Sequence, residues 1–484
     1  MDKTDESIFS KKEIHGMFDG PILRLLTRLS LPMFAGMLFQ LLYNITDTIW
    51  ISRIDIADPS YVGGTGIIFP ILFFAMAIGH GILIGVSSLV ARAIGARNRE
   101  VLSKTAESGL FIAIIVSVIV VVFCYLFAPA IVKALGATGD YYTHALEYFL
   151  FIIPASLLMF VGNVFFGIIQ GEGLMEKLMK AMIIGTVINI VLDPVFIFFL
   201  GMEVKGAAIA TDISQLVSVG YAVSIFLRRK TLVQIDWKVK NVDIGIIRQI
   251  IAIGLPQAAG QIMMSLSFLI FNRVVISIDP YALTAFTLCG RFDMIVLTPI
   301  FAIASALITM VGQNYGRGNF ERVKSIWWIG LGSAVVVVIA VAAIMVIFAP
   351  FIYPFFSDVN DVVRYAVTQT RIIEFTFLFA TIGILARSTF QAMGYPWPAF
   401  VIPVLRLVVI AIPAVYLYVY VFGLGIYGVW FGIITGNSIS AAISLFWVNK
   451  TLNTVPQRSE YDRIDTDRAI CDVSKINSHN KIGS

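Results

Sequence analysis

Apolar runs of about twenty residues recur along this chain with only short breaks between them, and that is the length a helix needs to cross a ~30 Å hydrocarbon core. Twelve such runs are predicted, at about 22–50, 61–90, 106–132, 141–169, 177–200, 206–228, 244–276, 281–311, 325–348, 361–390, 397–421 and 426–448. In lipid every backbone polar group must be paired within the protein, so runs of this length read as helices. Hydrophobic residues make up 58% of the 484 positions and charged residues 13%, with a mean hydropathy of +0.88, which excludes a soluble globular chain. The fold class is therefore an all-α polytopic membrane protein.

The net charge of +5 would point to nucleic acid in a soluble protein, but here the basic residues mark one side of a membrane. Lys11, Lys12, Arg24 and Arg28 precede or open the first span; Arg92, Arg97, Arg99 and Lys104 follow the second; Lys177 and Lys180 follow the fourth. Arg228, Arg229, Lys230, Lys238 and Lys240 follow the sixth, and Arg317, Arg322 and Lys324 the eighth. The opposite loops offer little beyond Arg53, Lys133, Lys205 and Arg364, so both termini are expected on the cytoplasmic side of a cell membrane and no nucleic-acid partner is expected. The first twenty residues are polar and show no cleavable apolar leader. Cys124, Cys289 and Cys471 are too scattered for a disulfide framework, and His80, deep in the second span, reads as a packed or hydrogen-bonded helix histidine.

The chain also repeats itself. At an offset of about 221 to 224 residues LSLPMFAG from Leu29 aligns with IGLPQAAG from Ile253, VARAIGARN ending at Asn98 with VGQNYGRGN ending at Asn319, and QGEG at Gln170 with QAMG at Gln391. Gly206, Ala210 and Ser214 in the sixth span match Gly428, Gly432 and Gly436 in the twelfth, a spacing of four that puts small residues on one face for close helix packing. Each unit holds an even number of crossings, so the copies enter the membrane in the same direction, and a V-shaped pair of bundles with a central cavity follows. The expected divisions are an N-terminal segment (1–21), a six-helix bundle (22–229), a cytoplasmic linker read as solvated (230–243), a second bundle (244–450) and a polar tail read as disordered or loosely tethered (451–484).

The repeat supplies an internal control, because features needed only for folding should appear twice. Asp47 falls near Phe271 and Asp193 near Ile412, so these two acids belong to the first copy alone. An ionisable residue at bilayer depth is a functional candidate by default. Asn189 and Asp193 are four residues apart and share a helix face, as do Tyr43, Asn44 and Asp47, and Pro194 frees the carbonyl of Ile190 from its helix bond. Carboxylates, amide oxygens and a free carbonyl suit a small hard cation, and a desolvated carboxylate can take a proton instead.

LSLPMFAGMLFQLLYNITDTIWISR, VINIVLDPVFIFFLG followed by KGAAIAT, and VGQNYGRGNFERVK resemble the multidrug and toxic compound extrusion (MATE) transporters, over nearly all of residues 20–450. The similarity is closer to the branch called DinF-like. That resemblance implies a twelve-helix antiporter exporting lipophilic, often cationic compounds against an inward flow of H⁺ or Na⁺, with no cofactor, lipid and small molecules as its partners, and a functional monomer. It implies a coupling site at Tyr43, Asp47, Asn163, Asn189, Asp193 and Thr211, with Asp47, Asn189, Asp193 and Thr211 the ligands should the ion be Na⁺. The other well-known branch carries acids at positions that fall near Met264 and Ile382 here.

In the second copy, Arg291, Asp293, Arg371, Glu374 and Arg406 fall toward the middle of their spans. They are expected to form a buried ion-pair network fixing that bundle, the other reading being a patch facing the cavity. Their excess of arginine keeps an anionic cargo in view, and with it a flippase of the same superfamily for an anionic lipid-linked precursor. No HExxH, GxSxG, P-loop or clustered histidine and cysteine set supports an enzyme.

Overall fold

The computed structural model describes residues 12–55, 58, 60–234 and 242–479, and these contain twelve helices long and apolar enough to cross a membrane. A short helix, Lys12–Asp19, precedes them. The first six are α1 (Ile22–Ser52), α2 (Ser60–Gly95), α3 (Arg99–Ala134), α4 (Gly139–Gly171), α5 (Met175–Phe199) and α6 (Glu203–Leu227). The second six are α7 (Ile244–Ile278), α8 (Pro280–Gly316), α9 (Phe320–Phe355), α10 (Asn360–Met393), α11 (Pro396–Val421) and α12, which begins at Ile426. Lys11, and the linker residues 235–241 with Lys238 and Lys240, lie outside the described residues.

The turns carry the repeat in detail. Asn98 caps α3 by accepting a bond from Val101 N–H at 3.0 Å, and Asn319 caps α9 by accepting one from Arg322 N–H at 3.2 Å, each leaving one fewer orphan donor in the first turn. Gly173 and Gly394 close equivalent helices at φ +81° and +84°, a left-handed conformation that a β-carbon disfavours. α5 widens into a π-helical turn over Val195–Phe199 directly after Pro194, and α11 does the same over Leu417–Val421. Small residues pack where the spacing places them: a β-carbon on Gly206 would come within 2.7 Å of the Phe196 backbone, and one on Gly428 within 2.9 Å of the Tyr418 backbone.

Two lobes result, α1–α6 and α7–α12, and their apolar cores show where they meet. One buried cluster runs through both lobes, joining Val86, Val90 and Ile169 to Ile250, Leu307 and Phe390. Toward the opposite end the cores separate: Ile51, Ile68, Phe149 and Ile197 cluster in the first lobe alone, and Phe271, Val275, Val415 and Trp430 in the second alone. The lobes are thus joined at the end that carries the basic loops and parted at the other, around a central cleft. Polar contacts across the joined end are reciprocal: Ser88 Oγ donates to the Gln391 carbonyl at 2.5 Å, and the equivalent Thr309 Oγ1 donates to the Gln170 carbonyl at 2.6 Å. His80 Nδ1 lies 3.4 Å from Gln261 Oε1 across the same seam.

Three further features belong to this end. The described start of the linker is held against the protein: Glu172 accepts bonds from Leu232 N–H and Val233 N–H at 2.9 Å each, and Val233 is buried. The tail continues α12 as helix to His479, since extending an existing helix avoids the unfavourable nucleation step. The N-terminal helix also docks between the lobes. Its Met17 and Phe18 are buried, the Met17 carbonyl accepts from Asn314 Nδ2 at 3.2 Å, and the Arg317 guanidinium sits 4.3 Å over the Phe18 ring.

Candidate functional site

Four of the six expected coupling residues form one hydrogen-bonded chain in the first lobe. α1 supplies Tyr43, whose hydroxyl lies 3.2 Å from Thr211 Oγ1 on α6. α5 supplies Asn189, whose Nδ2 donates to Asp193 Oδ1 at 3.1 Å one turn further along and to Thr211 Oγ1 at 3.4 Å. Asp47, one turn beyond Tyr43 on α1, is close enough for its charge to act on both Tyr43 and Asp193. Asn189 and Asp193 are fully buried. Asn163 is brought near by neither criterion: its amide rests against Gly79 of α2, and among the described residues it bonds to none of the other five.

The oxygens left over define what the cluster can hold. Asp47 Oδ1, Asn189 Oδ1 and Asp193 Oδ2 are buried with no hydrogen-bond partner among the described residues. Because the Asn189 amide nitrogen is spent on Asp193 and Thr211, its oxygen is turned away as a free acceptor. Unpaired buried acceptors are strongly disfavoured unless something positive fills the space between them. Carboxylate, amide and hydroxyl oxygens are hard donors, which fits a proton or a small alkali cation. Among the described residues no group of three or more His, Cys, Asp or Glu is arranged for a metal ion, so the donor set does not fit a resident transition metal.

Sequence reasoning missed two residues here. Asp212, next to Thr211 on α6, also has a buried unpartnered Oδ1, and its charge acts on Tyr43 and on Tyr148 of α4. The signal was available: in the register that pairs Gly206 with Gly428, Asp212 falls on the apolar Ile434. Tyr148 carries no such signal, since a tyrosine in an apolar span reads as core.

The second lobe corrects the expected ion-pair network of Arg291, Asp293, Arg371, Glu374 and Arg406. No ion pair among the described residues joins any of these five. Asp293 and Glu374 face each other instead, and Arg291 and Arg371 are exposed on the lobe surface. Arg291 and Asp293 are two residues apart and so point to different sides of α8. The 3₁₀ turn Glu374–Thr376 shifts the register after Arg371. Arg406 is half-buried, and beside it stands Arg387 of α10, which sequence reasoning passed over.

Twelve membrane-spanning helices in two equivalent lobes, with a hydrogen-bonded polar chain inside the first and a cleft between, define a membrane transporter rather than an enzyme. A sequence profile of the MatE family matches residues 32–195 and again 256–417, once for each repeat. The chain belongs to the MATE family. It is 24% identical over 432 residues, 87% of this chain and 91% of the relative, to the probable multidrug resistance protein NorM of Thermotoga maritima. It is 25% identical over 424 residues, 85% of this chain and 91% of the relative, to a FAD transporter of Shewanella oneidensis. The solved structure of the MATE transporter ClbM in complex with Rb⁺ superposes with a TM-score of 0.83 at 34% identity, covering 92% of this chain and 99% of that one.

Proposed function

We propose that this chain is a cation-coupled antiporter that exports lipophilic, often cationic compounds across a cell membrane by alternating access, with both termini in the cytoplasm. The observation that carries the reading is the set of buried, unpartnered oxygens on Asp47, Asn189 and Asp193 in a lobe that borders the cleft. An ion entering from the open end neutralises the carboxylates, and the helices that hold them, α1, α5 and α6, then sit differently against the cleft. Such an ion drives export only by its difference in affinity between the two states of the carrier. The names of the multidrug relative and of the Rb⁺ complex support drug export and an alkali-cation site.

A proton and Na⁺ both satisfy these oxygens, and conditions separate them: a Na⁺-driven carrier needs a Na⁺ gradient at fixed pH, whereas a proton-driven one fails when ΔpH is dissipated in Na⁺-free buffer. The deciding experiment is fluorescent-dye efflux from vesicles by Asp193→Asn and Asp47→Asn variants. Each substitution keeps the size and removes the charge and the titratable proton, so gradient-driven efflux should disappear while dye binding remains. Full gradient-driven efflux by the double variant would sink the reading.

A further inference from the structure

Arg387 and Arg406 stand together in the second lobe, and among the described residues neither has a counter-charge. Arg387 lies on α10 one turn before Gln391, whose Nε2 donates to Gln257 Oε1 on α7 at 2.9 Å. One turn further along α7, Gly260 leaves the space: a β-carbon there would lie 3.2 Å from Arg387 Nη1 and 3.2 Å from Pro403 Cγ on α11. Arg406 follows Pro403 by three residues, inside the π-helical stretch Leu405–Ala411, and its charge acts on that of Arg387. The neighbouring Gln261 reaches His80 of the first lobe, so the pair borders the seam where α7 meets α2.

Among the described residues nothing neutralises these groups. Both Nε atoms are buried without a partner, and among the described residues neither guanidinium makes an ion pair or a hydrogen bond. Two like charges held together in a membrane interior are unfavourable unless an anion joins them. Two planar forks from different helices suit the oxygens of a carboxylate or phosphate, which each can bind in bidentate fashion. In the register that pairs Gln170 with Gln391, Arg387 falls on Phe166, so the first repeat has no such group.

We infer that Arg387 and Arg406 form a binding subsite for an anionic oxyacid group, phosphate or carboxylate, on the cargo. The inference rests on the exporter reading only for the direction in which the cargo moves, so its test uses binding without a gradient.

Riboflavin and riboflavin 5′-phosphate share one fluorescent ring system and differ by a phosphate. Fluorescence titration of the purified full-length transporter in detergent should show the phosphate ester binding roughly tenfold tighter or more, the scale of one charge-assisted hydrogen-bond set. Arg387→Gln, Arg406→Gln and the double variant should lose that preference while still binding riboflavin, which also shows that they are folded; Arg387→Lys and Arg406→Lys should keep part of it. Equal binding of the two flavins by the unmodified protein, or a preference that survives in the double variant, overturns the subsite. Adding phosphatidylglycerol distinguishes the source: if the lipid abolishes the flavin phosphate preference at stoichiometric amounts, the arginines hold a lipid headgroup and the cargo subsite falls. Failure here with gradient-driven dye efflux intact would leave the exporter reading standing.

Discussion

Gly95 and Gly316 are equivalent residues of the two repeats, and each packs on the backbone of the other's helix across the seam. A β-carbon on Gly95 would overlap the Gln313 carbonyl oxygen, and one on Gly316 would overlap the Arg92 carbonyl oxygen. The reciprocal contact locks the basic ends of α2 and α8 together at backbone distance, which only a residue without a side chain permits.

Gly95→Val and Gly316→Val should therefore pry this end apart without touching the candidate cluster of the first lobe. A cysteine placed at Ser88, which is fully buried with its hydroxyl on Gln391, reports the opening. It should be unreactive to a membrane-impermeant maleimide in the otherwise unmodified protein and reactive in both valine variants. A silent thiol in the valine variants would show that the contact does not hold the seam.

Tyr43→Phe removes only the hydroxyl that meets Thr211 at 3.2 Å. Losing one such bond is expected to weaken the site by about 0.5 to 1.5 kcal/mol, up to roughly a tenfold rise in the ion concentration for half-maximal efflux. Maximal efflux should be preserved, because both carboxylates remain. An unchanged half-maximal concentration would place Tyr43 outside the ion's surroundings.

Asp243 caps α7, its carboxylate accepting from Gly245 N–H at 2.7 Å and Ile246 N–H at 3.2 Å. These backbone donors hold its pKa below the ordinary carboxylate value. A carboxyl group whose folded pKa is depressed adds stability above its unfolded pKa of about 4 and loses it as pH falls through the lower folded value. Asp243→Ala should thus lower thermal stability at neutral pH, by about 1 kcal/mol for a lost cap, and the gap to the unmodified protein should close in strong acid. A gap that widens on acidification would contradict the cap.

The N-terminal helix spans the seam through Met17 and Phe18, so Phe18→Ala, which removes the ring under Arg317, should weaken the joined state. Double electron–electron resonance between spin labels at the ends of α2 and α8 should show a broader, longer distance distribution. An unchanged distribution would mean that the helix only lies on the surface.

The number of spans was legible because hydropathy reports burial in lipid directly, and the duplication was legible in prolines, glycines and asparagines that turns and caps require twice. The candidate cluster of the first lobe was half legible. Asp47, Asn189 and Asp193 stand out as polar residues at depth, whereas Thr211 entered only through family resemblance and its neighbour Asp212 was passed over. The arginines were misread for a different reason. Sequence gives a residue's depth along a helix, but its rotation about the axis is lost wherever a 3₁₀ or π turn intervenes, as at Glu374–Thr376 and Leu405–Ala411. Arg291 and Arg406 both fall toward the middle of their spans, yet one is exposed and the other half-buried.

Under the two proposals taken together, ion and cargo load in different lobes at sites with no residue in common, Asp47 and Asp193 in the first and Arg387 and Arg406 in the second. Ion and cargo then need not evict one another, and all four occupancy states are accessible to the molecule. Tight exchange has to come from which of those states can cross between orientations, and any doubly loaded or empty crossing is slippage. Under those proposals the same division would free the sequence: α10 and α11 could be rewritten for a new cargo while the ion site on α1, α5 and α6 stayed unchanged.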